Sequence, residues 1–437
     1  MSLPTKRFAA AVAAVGSTLL LGSPLSAQRP VLPTPTFVID SADPVAMMVA
    51  RLDLEKYKAT IKGLTQFGDR REGTDRNRKA VDWIEAQLKS YGCSNTERII
   101  YEHRPAPRAA RPATPAGAPG AAGAPGAGAG APGAQPAAPR NNTRVGPTLG
   151  EGGSRSRGIR TRTGVNSDSL AQPDARLRAI NAQPTTPGER QEVFCTKIGT
   201  TNPNEMYIVG AHMDGHGWGE AANDDGSGTA LVMELARIFS SPDVKTDRSI
   251  RFILFNNEES GLNGARAYIA QREALQGKEQ PAGSGKYPEP KWLGMIQHDM
   301  MLFDHGMPLP DGSIPKEQRP EADVNIEFQG NSKMADASMK MAFFFRNANE
   351  KYATDYPAAV GNHMTNTDSG PFQDLIPAIS LRENERGMHV GSGWDPHWHQ
   401  PTDVFSTFSD KDFRLGLNAA QTTLGALGLL AGAKINK

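Results

Sequence analysis

The sequence predicts an α/β fold in which a mixed, mostly parallel sheet is flanked by helices. From Gln191 onward, apolar strand patterns alternate with helix patterns, which is typical of parallel strands joined by covering helices. Earlier in the chain, RIIYE (98–102) and QEVFC (191–195) stand on either side of a long irregular segment, and we expect them to pair antiparallel. These observations predict one domain with an internal insertion.

Two helix patterns precede the first strand. Apolar residues recur three and four positions apart over 44–67 and over 75–92, and Gly92 stands where a glycine commonly ends a helix. We therefore expect 28–104 to form the N-terminal part of the domain that carries the function.

The alternation after the insertion supplies the rest of the domain, 189–437. In chain order we predict strands at QEVFCTKI, EMYIVGAH, SIRFILF, KWLGMIQ, DVNIEF and IPAISL. Helices are predicted at SGTALVMELARIF, GLNGARAYIAQREAL, SKMADASMKMAFFFRNANEKY and DKDFRLGLNAAQTTLGALGLL. The last apolar run, about ten residues near 424–433, is too short to span a bilayer and is expected to pack as a helix.

The inserted segment, 105–188, differs in composition from its surroundings. Residues 105–139 are almost wholly Ala, Pro, Gly and Arg, and 140–188 remain rich in Arg, Thr, Ser, Gly and Asn. Because few apolar side chains are available to offset the entropy of ordering the chain, we predict a disordered loop. Its arginines leave two roles open, a solvated linker or a tether to an acidic surface such as a cell envelope.

The N-terminus has the organisation of a secretory leader. Lys6 and Arg7 precede about fourteen small or apolar residues, and small residues lead to an exit at Ala27. The apolar run falls short of the ~20 residues that a spanning helix needs. We predict a signal peptide over 1–27 and a secreted or periplasmic protein without a membrane span in its mature form.

Charge and cysteine content argue against several classes of function. Lys and Arg (48) nearly balance Asp and Glu (47), so the chain lacks the basic footprint of a nucleic-acid-binding protein. Cys93 and Cys195 are the only cysteines and form no CxxC motif, which excludes a zinc ribbon or a redox pair of that type. In an oxidising compartment they are candidates for a disulfide, and two free buried thiols are the alternative.

Acidic and imidazole side chains follow the ends of predicted strands. His212 and Asp214 end EMYIVGAHMD two residues apart, so their side chains leave the same face, and Asp214 can hold the His212 ring toward a metal. IQHDMM adds His298 and Asp299, of which only one can face that edge. Because the ends of parallel strands gather at one edge of a sheet, this pattern predicts a metal site.

Two loops bring further carboxylates toward the same edge. NDDGSG precedes a helix pattern and can present Asp224 to a metal while Asp225 or Ser227 caps the helix. Glu258 and Glu259 follow the strand SIRFILF, and adjacent buried carboxylates require positive charge. One glutamate is expected to bind metal and the other to take a proton from activated water. The last ligand is expected from the C-terminal histidines His363, His389, His397 and His399.

These residues resemble the ordered signature of the M28 zinc peptidases, which include secreted bacterial aminopeptidases. The matching blocks are GAHMD (210–214), NDDGSGTALVMELAR (223–237), FNNEESGLNGA (255–265), IQHDM (296–300) and HQPTD (399–403). The resemblance implies the aminopeptidase-like zinc-peptidase fold. It also implies a metallo-aminopeptidase that acts on a peptide substrate.

The resemblance further implies two Zn²⁺ ions that share one carboxylate. The implied ligands are His212 and Asp299 for one ion, Glu259 and His399 for the other, and Asp224 for both. Glu258 is the implied general base, and Asp214, which is expected to hold the His212 ring, is the second residue expected at the catalytic centre. His399 is preferred because Asp403 follows four residues later, as in the family, and His397 is the competing choice.

Two other family features can be compared with this sequence. Many members have a cis peptide after the bridging aspartate, here between Asp224 and Asp225. Members also use a tyrosine near the last ligand to polarise the scissile carbonyl, but GNHMTNTDSG and DPHWHQ contain none. Asn362, His363 and Trp398 are the candidates to replace it.

Three other functions stay open. A carboxypeptidase with the same metals would need arginines near the site, and Arg382 and Arg386 are candidates. A glutaminyl-cyclase-type acyltransferase of the same fold would hold one zinc. A non-catalytic binding domain would have lost ligands, whereas every implied ligand position is filled here.

Overall fold

An eight-stranded mixed sheet forms the centre of the computed structural model, which describes residues 40, 42–93, 95–104, 165–304, 324–362, 366–383 and 395–436. The strands, including two of a small separate sheet, are β1 (Glu97–His103), β2 (Gly188–Lys197), β3 (Asn202–His212), β4 (Val244–Lys245), β5 (Arg248–Phe255), β6 (Lys291–His298), β7 (Val324–Phe328), β8 (Ala358–Asn362), β9 (Ala378–Glu383) and β10 (Lys434–Ile435).

The sheet order is β1-β2-β5-β3-β6-β9-β7-β8, and β4 pairs with β10. The central strands β5, β3, β6 and β9 are parallel to one another. Antiparallel pairing occurs between β1 and β2, between β2 and β5, and between β7 and β9. This topology confirms the predicted mixed, mostly parallel sheet, and the two strands that flank the insertion do pair antiparallel.

The described residues include eight α-helices. They are α1 (Pro44–Val49), α2 (Leu54–Thr65), α3 (Asp75–Ser90), α4 (Ala175–Asn181), α5 (Gly226–Phe239), α6 (Asn263–Arg272), α7 (Ala335–Tyr352) and α8 (Asp410–Ala431). No helix among these residues is both long enough and apolar enough to cross a membrane.

One predicted helix is divided in the structure. The apolar spacing over 44–67 predicts a single helix, but α1 ends at Val49 and α2 begins after Asp53. The carboxylate of Asp53 accepts a hydrogen bond from the amide of Lys56 (3.0 Å). An aspartate in this position starts a new helix because it satisfies an amide that has no partner within the helix. The spacing of apolar residues does not report such a cap.

Buried side chains alternate between the two faces of the central strands. Ile208 and Val209 of β3 belong to different buried clusters, as do Ile253 and Leu254 of β5. Helices α1, α2, α3, α5, α7 and α8 contribute to the larger cluster, and α6 contributes to the smaller one. The described residues all belong to one compact unit.

The end of the insertion is ordered, which the sequence does not predict. Over 165–188 the structure contains a 3₁₀ turn and α4 rather than a disordered loop. Gln172 and Asn181 are buried, and their side-chain amides donate hydrogen bonds to the carbonyls of Pro401 (2.8 Å) and Gly219 (2.8 Å). A composition argument counts apolar side chains and therefore misses segments that are held by amide hydrogen bonds.

Several predictions fall on residues that are not described. They concern the signal peptide 1–27, the insertion over 105–164, His363, His389 and Arg386.

Cys93 and Cys195 form a disulfide, with their Cα atoms 5.9 Å apart. The bond joins the end of the α3 region to β2 and closes a sequence separation of 102 residues. Of the two alternatives left open by the sequence, the structure has the disulfide.

Candidate metal centre

Three neighbouring parallel strands end at the site. β3 ends at His212, β6 ends one residue before Asp299, and Glu258 and Glu259 lie in the loop after β5. Because β5, β3 and β6 are adjacent and parallel, their C-terminal ends lie at the same edge of the sheet. As a result, Nε2 of His212 lies 3.7 Å from Oδ1 of Asp299.

The histidines and carboxylates form two groups whose ligand atoms lie within 4.8 Å of one another. The first group is His212, Glu258 and Asp299, and the second is His216, Glu259 and His399. Asp224 lies between them, with Oδ1 3.4 Å from Nε2 of His212 and Oδ2 3.0 Å from Nε2 of His399. The structure thus brings the five predicted ligands together and adds His216.

Of the two C-terminal histidines that are described, His399 is the one at the site. Its Nε2 lies 2.9 Å from Oε2 of Glu259. Nδ1 of His397 instead contacts Oγ1 of Thr402 (2.9 Å), and His397 belongs to neither group.

His298 and Asp299 point in different directions, as expected for consecutive residues at a strand end. Asp299 faces the site, whereas Nε2 of His298 contacts Oγ1 of Thr423 (2.8 Å). Burial lowers the pKa of His298 to about 3, so this imidazole is neutral. Because the His298 ring is engaged with Thr423, Asp299 is the member of this pair that joins the ligand group.

Asp214 makes a different contact from the one predicted. The sequence predicts that its carboxylate holds the His212 ring, but Nδ1 of His212 lies 3.0 Å from the backbone carbonyl of Asp214 and 3.9 Å from Oδ1. Since a carbonyl can only accept, Nδ1 carries a proton, and Nε2 is the nitrogen that faces the site. Oδ1 of Asp214 accepts a hydrogen bond from the backbone amide of Glu258 (3.1 Å).

Asp225 ties together the three segments around the site. Its carboxylate accepts hydrogen bonds from the amides of Gly228 (2.9 Å), Met300 (3.1 Å) and His212 (3.1 Å). Asp225 is therefore the residue that caps α5, and it also connects the ends of β3 and β6. The peptide bond between Asp224 and Asp225 is cis.

Asp403 supports the bridging carboxylate from the C-terminal side. Its two oxygens accept hydrogen bonds from the amides of Asn223 (2.8 Å) and Asp224 (3.1 Å). The sequence singles out Asp403 only as a marker of the last ligand. The structure shows that it orients the loop that presents Asp224.

The charges at this edge create a negative potential. Burial lowers the pKa of His399, but Glu259 and Asp224 outweigh that effect and raise it to about 10. For His212, burial is likewise outweighed, first by Glu258, and the pKa is raised well above its usual value. A position that stabilises imidazolium in this way favours other cations as well.

Glu258 and Glu259 differ although they are adjacent. Burial raises the pKa of Glu258 well above its usual value, against an opposing effect of His212. Burial also acts to raise the pKa of Glu259, but His216 and His399 outweigh it and hold that pKa at about 2. Neighbouring carboxylates whose pKa values are pushed apart are suited to different roles.

Several ligand atoms are shielded from solvent and have no hydrogen-bond partner. They are Oδ2 of Asp224, Oε1 of Glu259 and Nε2 of His216. A buried polar atom without a partner costs about 1–3 kcal/mol, and more when it is charged. Imidazole nitrogens and carboxylate oxygens are ligands that zinc takes in proteins. The donor set and these unpaired atoms fit divalent cations.

A pocket of about 370 Å³ opens onto both groups, a size suited to a small ligand. Beyond the candidate ligands, its lining includes Leu262, Arg266, Asn366, Arg382 and Trp398. Arg382 is buried, with Nη2 2.8 Å from Oδ2 of Asp299, whereas Arg266 is exposed. The pocket therefore combines a strongly acidic floor with an arginine at its rim.

The candidates for carbonyl polarisation lie in different places. Trp398 lines the pocket, with its ring centroid 4.1 Å from that of His399. Asn362 is exposed at the end of β8 and accepts a hydrogen bond from the amide of Gly330 (2.7 Å). Asn362 is not among the residues that line the pocket.

The chain resembles known proteins in sequence and in structure. The sequence model of Peptidase family M28 matches residues 194–420. Aminopeptidase YwaD of Bacillus subtilis is 43% identical over 68 residues, which are 16% of this chain and 14% of that protein. The probable lipoprotein aminopeptidase LpqL of Mycobacterium tuberculosis is 26% identical over 250 residues, 55% of this chain and 45% of that protein. The chain thus matches less than half the length of each relative.

Solved structures share the fold at low sequence identity. BSAP, a zinc aminopeptidase from Bacillus subtilis, matches with a TM-score of 0.53 and 14% identity, over 88% of this chain and 96% of that one. The aminopeptidase from Aneurinibacillus sp. strain AM-1 matches with a TM-score of 0.51 and 19% identity, over 90% and 97% of the two chains. These likenesses establish the fold.

Proposed function

The chain belongs to peptidase family M28, and on that premise we propose that it is an aminopeptidase that uses two zinc ions to remove residues from the N-termini of peptides. The observation that carries this proposal is the pair of ligand groups joined by Asp224 beside Glu258, at the floor of one pocket. The aminopeptidase names of the curated relatives agree with it.

Each ligand has a defined place in this proposal. The ligands proposed for one ion are His212, Asp224 and Asp299, and those for the other are Asp224, Glu259 and His399. Bound there, divalent cations supply Lewis-acid polarisation of the scissile carbonyl and lower the pKa of the attacking water. Residues of both groups line one pocket, and this chemistry would face it.

Glu258 is the proposed general base. Its carboxylate takes a proton from the attacking water and returns it to the nitrogen of the leaving amine. A pKa raised by burial suits this exchange, because the group must be able to hold the proton between the two steps. Asp214 keeps Glu258 in position through the backbone amide.

The charges of the pocket favour a free N-terminus over a C-terminal carboxylate. The acidic floor attracts an ammonium group, and Asp299 or Glu258 is the carboxylate proposed to receive it. Arg382, the arginine considered for a carboxypeptidase, is 3% exposed and lies against Asp299. A carboxylate of the substrate would therefore meet Arg266 first.

The test is a matched pair of peptides, one with a free N-terminus and one N-acetylated. We expect release of the first residue only from the free peptide, loss of activity with a chelator, and recovery with zinc. Release of C-terminal residues from both peptides would identify a carboxypeptidase. One zinc per chain without hydrolysis would favour the cyclase-type acyltransferase.

We further propose that the protein is exported, with cleavage of a leader after Ala27. Two observations support this proposal, the leader pattern over 1–27 and the disulfide, a bond that persists in oxidising compartments. Mass spectrometry of the N-terminus of the mature protein tests it. A mature protein that still begins at Met1 would contradict it.

A further inference from the structure

His216 contacts the second ligand group although it is not among the predicted ligands. It follows His212 by four residues in the loop after β3. Nε2 of His216 lies 3.0 Å from Oε2 of Glu259, and its ring centroid lies 4.1 Å from that of His399, at 86°. Two imidazoles thus approach the same carboxylate from perpendicular directions.

The close approach of His216 and Glu259 leaves buried ligand atoms on both side chains without a hydrogen-bond partner. Nε2 of His216 is shielded from solvent and has no hydrogen-bond partner, although Oε2 of Glu259 is within reach. An imidazole nitrogen and a carboxylate oxygen that converge in a buried site are a ligand pair that zinc takes in proteins. Two tetrahedral ligands of one zinc ion, each about 2.0–2.2 Å from it, are about 3.3–3.6 Å apart. The 3.0 Å separation observed here is slightly shorter than this spacing.

The local backbone holds His216 against the last ligand. Gly217 has φ +103°, a conformation that favours glycine, and a Cβ added there would lie 2.3 Å from the carbonyl carbon of His399. Glycine therefore lets the loop after β3 pack directly on the backbone of His399. This packing sets the distance between the two imidazoles.

We propose that His216 is a further protein ligand of the ion held by Asp224, Glu259 and His399. That ion would then have four protein ligands, and the other position would stay open to water and substrate. The inference rests on the proposed function. Zinc positions with four protein ligands are typically structural, and those with three keep a place for water. The position with His216 would therefore serve to anchor its ion, and the other position would carry the reaction.

The surroundings of the two groups also give them unequal affinities for a metal ion. The second group offers two imidazoles and two carboxylates to one ion. In the first group, Asp299 already faces the guanidinium of Arg382 at 2.8 Å, which reduces what its carboxylate offers to an ion. We therefore expect the position with His216 to fill first.

Zinc titration of the full chain, stripped with a chelator and followed with a competing chromophoric chelator, tests the proposal. The wild type is expected to take up zinc in two steps. His216→Ala is expected to weaken the tighter step by at least about 100-fold, more than the loss of an outer partner costs. His103→Ala is the matched control and should leave both steps unchanged, because His103 lies on the edge strand β1 and belongs to neither ligand group.

The outcomes separate this inference from the proposed function. Two zinc steps that are insensitive to His216→Ala overturn the role of His216 and leave the two-zinc peptidase standing. A wild type that takes up no second ion overturns both. If His216→Ala does not fold, a long-range ¹H–¹⁵N spectrum of the zinc-loaded wild type decides instead. Metal-bound imidazoles from His212, His216 and His399 are expected, and a His216 signal typical of a free ring overturns the inference.

Discussion

The carboxylate of Asp214 accepts a hydrogen bond from the backbone amide of Glu258, over 3.1 Å and across 44 residues of sequence. The contact fixes the proposed base relative to the end of β3, where His212 faces the first ligand group. Asp214 is therefore a positioning residue for Glu258 as well as a neighbour of the His212 ring.

Replacing Asp214 tests this relationship. Asp214→Ala removes the acceptor, so we expect kcat to fall by about 10–100-fold. The zinc content should fall by a smaller factor than kcat. Asp214→Asn keeps an oxygen that can accept from the amide, and it should retain more activity than the alanine variant. Steady-state kinetics and zinc content check both. Equal losses in the two variants would show that charge rather than the hydrogen bond matters.

Glu258→Gln tests the proposed base. The glutamine has nearly the same shape but cannot take up a proton, so we expect hydrolysis of aminoacyl amides to fall by about 10²–10⁴-fold. Zinc content should be unchanged, because the proposed ligands remain. Glu102→Gln, an exposed residue of β1, is the control and should behave as the wild type. Ordinary activity in Glu258→Gln would remove the base assignment.

Asp225→Ala tests the link between three segments of the site. The change leaves the amides of Gly228, Met300 and His212 without their acceptor, and each costs about 1–3 kcal/mol when buried. We expect the free energy of unfolding to fall by at least about 3 kcal/mol. Asp53→Ala, which removes one exposed helix cap, should cost about 1 kcal/mol. Urea denaturation compares the two, and similar losses would argue against the linking role.

Removal of the disulfide tests its contribution to stability. Because the bond closes a separation of 102 residues, its loss frees a long loop in the unfolded chain. We expect the double variant Cys93→Ala, Cys195→Ala to lose about 2–4 kcal/mol of unfolding free energy. The same loss should follow reduction of the wild type. A change of less than about 0.5 kcal/mol, the usual range for surface substitutions, would contradict this expectation.

Glu85 predicts a pH dependence of stability away from the site. Burial acts to raise its pKa, but hydrogen bonds from Lys89 and Arg98 outweigh it and hold the pKa at about 2, below the ordinary 4.5. A lowered carboxyl pKa stabilises the fold above about pH 4.5, and this contribution is lost as pH falls toward 2. Because the ion pair is partly solvated, we expect on the order of 1 kcal/mol.

Urea denaturation of the wild type and of Glu85→Gln at pH 6 and pH 3 measures that contribution. All other titrating groups are shared, so the difference between the two proteins isolates Glu85. The wild type should be more stable than the variant at pH 6, and the gap should narrow at pH 3. A gap that is the same at both pH values would show that Glu85 does not contribute through its charge.

The pattern of the sequence determined the fold and the edge at which the site lies. Apolar runs of strand length end just before His212, Glu258 and Asp299, and the intervening helix patterns require parallel strands. Both signals are local, because side-chain periodicity and the polarity that follows a strand depend on neighbouring residues. Convergence of these side chains then follows from the geometry of a parallel sheet.

Tertiary structure alone decided the contacts that depend on the path of loops. It turns the Asp214 carboxylate toward Glu258, sets Asp403 under the loop of Asp224, and brings His216 to Glu259. These partners are far apart in sequence, and no local pattern reports which loops will meet. Such contacts form only when the sheet and its helices have fixed where each loop begins and ends.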